Sequence, residues 1–497
     1  MTECLLGIDN GGTVAKAALF ATDGRELGAA RRKIELEMPQ AGWREIDAGR
    51  LWQATAEVIR QVMEETGAGA ADVAGVACTG HGNGLYLVDE RGRPTRKGIS
   101  SSDGRALAYV QQWEAGGVID RVRPKTLQAN WPAQPNALLR WLVDHEPGVL
   151  ASTRWALMCK DYIRMRLTGE ALAELTDYSA TSLMDVESNR FDDGVFEAFQ
   201  IGPLRRLMPP LIRCTDRAGA VTAGAAAETG LAEGTPVFGG AFDIDACGLA
   251  AGCVDEASLV MVGGTWGNNQ HLTRKPLRTS DVFMVSRYAI DDYYLVLEGS
   301  ATSASNLEWF VDRFVRGACG PGEDPYETCN RLVAESEAEE DCPTFLPFLY
   351  GSPVSPLATG ALVGLTGQTS LAAVVRAVFE GVGFMHHWHY DRLMQYRGAP
   401  EAIRMTGGVA RSEVWCQMFA DIFGLPVEVP RASELGALGA AMIAAVGLGV
   451  YPDLAAASSA MTGIARRHEP NTANHGVYQA RYRRFQETIE AMKPLWK

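Results

Sequence analysis

The chain has 497 residues, 47% of them hydrophobic and 21% charged; at about 150 residues per domain this is room for two to four domains with sizeable cores. Lys and Arg number 46 against 60 Asp and Glu, a net charge of −14, which excludes the positive footprint of a nucleic-acid-binding protein. Nucleotide binding stays open, because backbone N–H groups and a metal can hold a small phosphate.

Ten cysteines are scattered along the chain with no CxxC pair and no zinc-ligand spacing, which reads as a reducing, cytoplasmic setting. The N-terminus runs straight into an apolar strand without a signal-peptide pattern. The uncharged stretch 435–452 is too glycine-rich for a membrane span and reads as a buried helix followed by a turn.

In chain order, Leu5–Ile8 and Ala15–Phe20 flank a glycine turn as an antiparallel pair. Asp47–Glu65 reads as a helix, with Leu51, Ala54, Val58 and Val62 on one face. Val73–Cys78 is a β-run ending in the glycine-dense segment 79–84, and Leu85–Val88 is the next strand. Leu138–Val143 and Trp155–Leu167 read as helices, the second stopped by Thr168-Gly169. In the second half, Leu259–Val262 and Tyr294–Leu297 read as strands, and helices follow at Leu371–Gln395, Ser412–Phe423 and Leu435–Ala445. The mixture is α/β. A strand ending in Gly-Gly-Thr occurs at 5–13 and again at 259–265, which suits a duplicated α/β domain with a boundary near residue 250.

No Walker A loop, GxGxxG turn after a strand, GxSxG elbow or HExxH helix is present. In Gly7-Ile8-Asp9-Asn10-Gly11-Gly12-Thr13 a strand delivers Asp9, two glycines let the backbone curl around an anion, and Thr13 offers two donors. Asp9 beside phosphates requires an intervening cation, so Mg²⁺ is implied; a plain hairpin turn is the competing reading. The turn 263–267, with Gly264 and Thr265, would clamp a polyphosphate from the other side. The turn 406–412, with Gly407 and Gly408, would pack its backbone on a flat base.

Gly239-Gly240-Ala241-Phe242-Asp243 places a carboxylate at a strand end, where it could take a proton from a hydroxyl attacking phosphorus. Asp245 competes for that role, and one of the two could cap the following helix. Gly80, His81 and the loop with Asp103 and Arg105 suit a polyhydroxylated ligand, against two ordinary surface turns with Asp103–Arg105 a local pair. Of the histidines at 386, 387 and 389 only 386 and 389 share a helix face, no carboxylate is expected to join them closely, and they read as structural. The acidic run 335–341 reads as a solvated helix face.

These residues resemble the FGGY carbohydrate kinases over essentially the whole chain. The likeness runs through IDNGGT, KDYIRMRLTGE at 160–170, TDYSATSLMD at 176–185, EGTPVFGGAFD at 233–243, GGT at 263–265, EGSATSASNLEWF at 298–310, TGGVARSEVWCQMFADIFGLPV at 406–427 and ELGALGAAMIAA at 434–445. The signature at 360–380 departs at Ala373, where the family has a polar residue. The earlier one departs at Ala133 and at Leu138, where a Lys is expected. The resemblance implies two duplicated actin-like (ribonuclease H-like) domains with an interdomain catalytic cleft. Residues 1–250 would hold the sugar and the base, and 251–497 the nucleotide.

The resemblance further implies an ATP-dependent sugar kinase with Asp243 as base and Asp9 on the Mg-ATP side. Gly11, Gly12, Thr13, Lys16, Gly264, Thr265, Gly407 and Gly408 would lie at ATP, with the alternative that Lys16 only sits on the strand face. Gly80, His81, Asp103 and Arg105, together with Asp243, would lie at the sugar. Gly42-Trp43, near the sugar site in the family, is not assigned. TGHGNGLYLVDERG, ISSSDGR, FDID and GGTWG are most similar to kinases of L-xylulose, so a small ketose is the expected acceptor and a homodimer the expected assembly. D-xylulose, another pentulose or a polyol is the alternative within the family; an actin-fold ATPase or sugar sensor without catalysis is the alternative outside it.

Overall fold

The computed structural model describes residues 3–320, 322–337 and 342–496; residues 338–341 of the acidic run lie outside that range. The apolar run at the N-terminus forms β1 (Cys4–Asn10), paired antiparallel with β2 (Val14–Ala21), and β3 (Glu26–Lys33) continues the meander. β4 (Val73–Gly80) lies parallel to β1, and β5 (Arg217–Ala220) and β6 (Pro236–Phe242) complete a sheet of order β5-β6-β4-β1-β2-β3. β1 and β4 are buried almost throughout, as parallel strands covered on both faces require.

The second sheet holds β7 (Ser258–Gly263), β8 (Gly267–Thr273), β9 (Met284–Arg287), β10 (Tyr294–Ser300), β11 (Ala402–Gly407), β12 (Val427–Pro430) and β13 (Ile464–His468), in the order β9-β10-β8-β7-β11-β12-β13. Each sheet is built on a hairpin whose first strand pairs parallel with a later strand and, beyond it, a third parallel strand and an antiparallel edge. The run β3-β2-β1-β4-β6-β5 corresponds to β10-β8-β7-β11-β12-β13. The Gly-Gly-Thr echo is therefore a repeat of topology.

Among the helices, α1 (Ala48–Thr66) starts at Asp47, whose carboxylate accepts from Arg50 N–H, and stops at left-handed Gly67; Leu51, Ala54, Val58 and Val62 are all buried. The others used below are α2 (Cys159–Thr168), α3 (Asp243–Ala250), α4 (Leu371–Leu393), α5 (Glu413–Phe423, capped by Ser412) and α6 (Leu435–Gly447). α3 and α6 are sandwiched between the sheets. One apolar cluster joins Leu5, Ala77 and Phe238 of the first sheet to Leu249 and Ala441 of these helices and to Val260 and Leu295 of the second sheet. The uncharged stretch from 435 is thus a helix buried all round, as its composition requires. α6 lies so close to β1 that a Cβ at Gly7 would collide with the Ala437 carbonyl. Among the described residues no helix is long and apolar enough to cross a membrane.

One expected helix is divided. Trp155–Leu157 is a strand paired with Tyr86–Val88, Met158 is extended, and α2 begins only at Cys159. Helical periodicity continues through this segment, but three backbone pairings to a neighbouring strand outweigh the modest local preference.

Candidate active site

The N-terminal hairpin brings Asp9 opposite Lys16. Its turn is closed by Gly11 N–H donating to the Val14 carbonyl at 3.1 Å, and the Thr13 carbonyl is held by Ile34 N–H at 2.8 Å. Around Gly12 a Cβ would meet no atom within 4 Å, so the turn borders open space. The Lys16 ammonium lies 3.0 Å from Glu434 and 3.8 Å from Asp9. Burial raises the Asp9 pKa, and the negative charge of Glu434 adds to the rise, against the opposing pull of Lys16. Glu434, at the start of α6, was not assigned from the sequence; nothing in its neighbourhood there points back to residue 9.

The second hairpin repeats the first. Gly263 and Gly267 close the ladder, Gly264 N–H donates to the Trp266 carbonyl at 3.3 Å, and the Gly264 carbonyl accepts from Ala304 N–H at 2.9 Å. Behind it, His386 bonds Asn269 (2.9 Å) and Ser303 (3.0 Å), while His389 bonds Glu298 (3.0 Å) and Ser300 (2.7 Å). These histidines buttress the turn through polar side chains; the Glu298 carboxylate on His389, brought from a strand far away in sequence, corrects the expectation that none joins the pair. Gly407 pairs with Gly263 and has φ 80°, a backbone state that favours glycine. A cavity of about 440 Å³, the size range of a small-ligand site, is lined by Gly264, Thr265, Gly408, Arg411, Trp415 and Tyr326 among others. It joins the second and third glycine turns; Gly11–Thr13 are not among its lining residues.

β6 carries Asp243 to the first turn of α3. Gly240 has φ 74°, and a Cβ there would collide with the Cys78 carbonyl, so the strand bends where only glycine fits. Burial pushes the Asp243 pKa well above the ordinary carboxylate range, reinforced by repulsion from Asp9 and Asp177. Asp245 is different: fully buried, it accepts from Ala289 N–H at 3.0 Å and so ties α3 to the segment after β9. Neither carboxylate caps α3, whose N-cap is Phe242 with no side-chain bond. That corrects the capping alternative, because both acids already lie inside the first turn.

Beneath Asp243 is a buried ionic group that the sequence reading passed over. Lys160 lies 2.9 Å from Asp161, 3.3 Å from Glu174 and 3.3 Å from Asp177, with no side-chain exposure at any of them. Arg164 reaches Asp161 at 2.8 Å and the Gly239 carbonyl at 2.6 Å. Glu174 accepts from the Thr176 hydroxyl at 2.7 Å, and that hydroxyl accepts in turn from Phe242 N–H at 2.9 Å. Burial lifts Asp177 to about 7. These charges lie in the KDYIRMRLTGE and TDYSATSLMD stretches, with Glu174 between the two, where their density reads as surface until the fold encloses them.

The glycine-rich loop after β4 packs on Phe242, and Gly84 in it touches the backbone of Ser100 and Ser101. Gly80 ends β4, His81 N–H donates to the Asn10 carbonyl at 2.9 Å, and a Cβ at Gly82 would strike the Phe242 ring. The His81 Nε2 lies 3.1 Å from the Tyr86 hydroxyl, while its Nδ1 is buried without a partner. Burial lowers the ring to about 4, so it is neutral at pH 7. Asp103 and Arg105 form the local pair at 2.9 Å, and the pair is buried. Asp103 is saturated: one oxygen takes Arg105 N–H and Nε, and the other takes Arg44 N–H at 2.6 Å and Arg105 Nη2 at 3.0 Å. Arg105 also reaches Glu45 at 2.9 Å and stacks on Trp43 at 4.1 Å, with Nη1 left unpartnered. Trp43, unassigned in the sequence, therefore belongs to this cluster.

Comparison with known proteins identifies the family. The N-terminal domain of the FGGY family of carbohydrate kinases matches residues 4–250, and the C-terminal domain of that family matches 259–448. The L-xylulose/3-keto-L-gulonate kinase of Escherichia coli is 36% identical over 99% of this chain and 98% of its own. A probable L-xylulose kinase of Pasteurella multocida is 36% identical over 99% of both chains. The crystal structure of xylulose kinase from Rhodospirillum rubrum superposes with a TM-score of 0.90 at 27% identity, covering 99% of this chain and 100% of that one. With two glycine hairpins of one topology and a carboxylate at the end of the intervening strand, the chain belongs to the FGGY family of carbohydrate kinases and is an ATP-dependent sugar kinase.

Proposed function

We propose that this chain transfers the γ-phosphoryl group of ATP to a hydroxyl of L-xylulose, with Asp243 as the base. The observation that carries the proposal is Asp243 itself: a half-buried carboxylate with raised affinity for a proton, just past the end of β6, next to the Phe242 ring on which the loop of His81 packs. Asp243 accepts the hydroxyl proton as the oxygen attacks phosphorus, the bond from phosphorus to the bridging oxygen breaks, and ADP leaves. Residues 1–250 supply the base and sugar contacts and 251–497 the nucleotide cavity. Gly11, Gly12 and Thr13 hold the phosphates from one side and Gly264 and Thr265 from the other, while Gly407 and Gly408 face the adenosine. His81, through its free Nδ1, and Arg105, through Nη1, bond the sugar beside Gly80; Asp103 orients Arg105.

Asp9 suits a magnesium ion carried in by ATP, since burial and the nearby Glu434 leave its carboxylate short of positive charge. When bound, that ion would neutralise charge on the transferring phosphoryl group. Lys16 balances Asp9 and Glu434 on the strand face. Closing the cleft would exclude water and suppress ATP hydrolysis. The proposed setting is a homodimer in the cytoplasm; ten unpaired cysteines support a reducing compartment.

An ADP-release screen over L-xylulose, D-xylulose, 3-keto-L-gulonate, pentitols and glycerol tests the substrate. L-xylulose is expected to lead, and a pentitol or glycerol leading would refute the ketose reading. Asp243→Asn should lower kcat by roughly 10²–10⁴ with ATP still bound; near-normal turnover there, with Asp245→Asn inactive, would show the base to be the other carboxylate.

A further inference from the structure

Beside the start of the Trp155–Leu157 strand, a cavity of about 450 Å³ is lined by four arginines, Arg154, Arg190, Arg205 and Arg206, and by the rings of Trp155 and Phe191. No acidic residue lines it. Among the described residues, Arg205 alone of the four has a carboxylate nearby, Asp193 at 3.4 Å, and that side chain is 87% exposed. Arg154, Arg190 and Arg206 thus border one cavity without an ion pair among the described residues, although Asp185 stands opposite Arg190 in the strand pair, in a chain whose net charge is −14. Like charges gathered in one recess repel and lower stability unless an anion joins them.

Three of the four guanidiniums, those of Arg154, Arg205 and Arg206, are also held in place. Arg154 lies 3.5 Å over the Trp155 ring and donates to the Arg206 carbonyl at 3.2 Å. Arg205 lies 4.8 Å over Phe191. Arg206 donates to the Thr153 and Leu150 carbonyls at 3.2 and 3.0 Å. Stacking and backbone bonds fix the planar groups while leaving their charge unspent, which favours bidentate capture of a phosphate. A single open recess, rather than a long stripe, on an acidic protein suits a small ligand and not a nucleic-acid strand.

We propose that this cavity binds a small phosphorylated anion, a phosphate monoester or pyrophosphate, at a site separate from the nucleotide cavity. The proposal stands whichever sugar the kinase uses, because binding is read without turnover. The full-length protein, its nucleotide cavity filled with a non-hydrolysable ATP analogue, is titrated calorimetrically at low salt with pyrophosphate, ribose 5-phosphate and malonate. The phosphorylated probes should bind at one further site per chain and weaken as salt rises. Arg190→Gln and Arg205→Gln should each weaken them about tenfold, the loss of one charge-assisted contact, while sugar turnover is unchanged. Absence of saturable binding, unchanged affinity in both variants, malonate binding as tightly as the phosphorylated probes, or displacement of the probe by RNA or by phosphatidylglycerol vesicles at equal charge would each overturn the assignment.

Discussion

Thr176→Val removes one hydroxyl and almost no volume from the floor of the site. That hydroxyl accepts from Phe242 N–H at 2.9 Å and donates to Glu174 at 2.7 Å. Its loss leaves a buried N–H unpaired, at about 1–3 kcal/mol, and deprives a buried carboxylate of one donor, at about 1.5–3 kcal/mol. Glu174 keeps Lys160 at 3.3 Å and the Thr176 N–H at 2.9 Å, so the combined loss should fall near 3 kcal/mol. Phe242 immediately precedes Asp243, so the peptide that aims the proposed base loses its anchor. A small displacement of a base lowers turnover steeply; kcat should fall roughly 10–100-fold, with the KM for ATP unchanged. Denaturant unfolding measures the first effect and coupled ADP release the second, and Thr176→Ser should restore both. A valine variant within about 0.5 kcal/mol of the parent and within about twofold in kcat would refute the anchoring role.

Gly12→Val should abolish ATP binding while leaving unfolding free energy within about 0.5 kcal/mol, since its Cβ meets no protein atom within 4 Å; unchanged nucleotide affinity would remove the N-terminal hairpin from the ATP site. His81→Ala should lower kcat/KM for the sugar about tenfold or more without changing ATP affinity, and loss of ATP affinity instead would refute the sugar contact. Because His81 is lowered to about 4 from an unfolded value of 6.5, the unfolded chain takes up its proton first as pH falls. The stabilising contribution is complete above pH 6.5 and is lost progressively down to about pH 4. His81→Gln should therefore shrink the stability difference between pH 7 and pH 5 by about 2 kcal/mol, measured by unfolding at both pH values; an unchanged difference would mean that the ring is already charged in the folded state. Asp243 must be ionised to act, and its pKa is raised, so the acid limb of kcat/KM should lie above the ordinary carboxylate value of about 3.9; a limb at that value would mean that the group is not the base.

The glycine turns, the strand–turn–strand repeat and the amphipathic face of α1 were legible because they rest on local rules: a backbone needs glycine to turn tightly, and an apolar face recurs at three and four residues. The helix expected at 155–167 failed for the complementary reason, since its first three residues are claimed by a strand far away in sequence. Motif resemblance singled out Asp243 over Asp245, yet only the folded chain displays the difference between them: one at the edge of the site, the other tied to Ala289. Lys160, Glu174, Thr176, Trp43 and Glu434 could not be read as neighbours of the site, because charge density along a chain says nothing about which groups will be enclosed together. The sequence by itself determined the repeated hairpins, the acid after the second glycine pair and the kinase family, all carried by short segments. Tertiary structure alone decided which charges are buried, which carboxylate is saturated and which ring nitrogen is left free, because burial and hydrogen-bond satisfaction depend on groups brought together from distant parts of the chain.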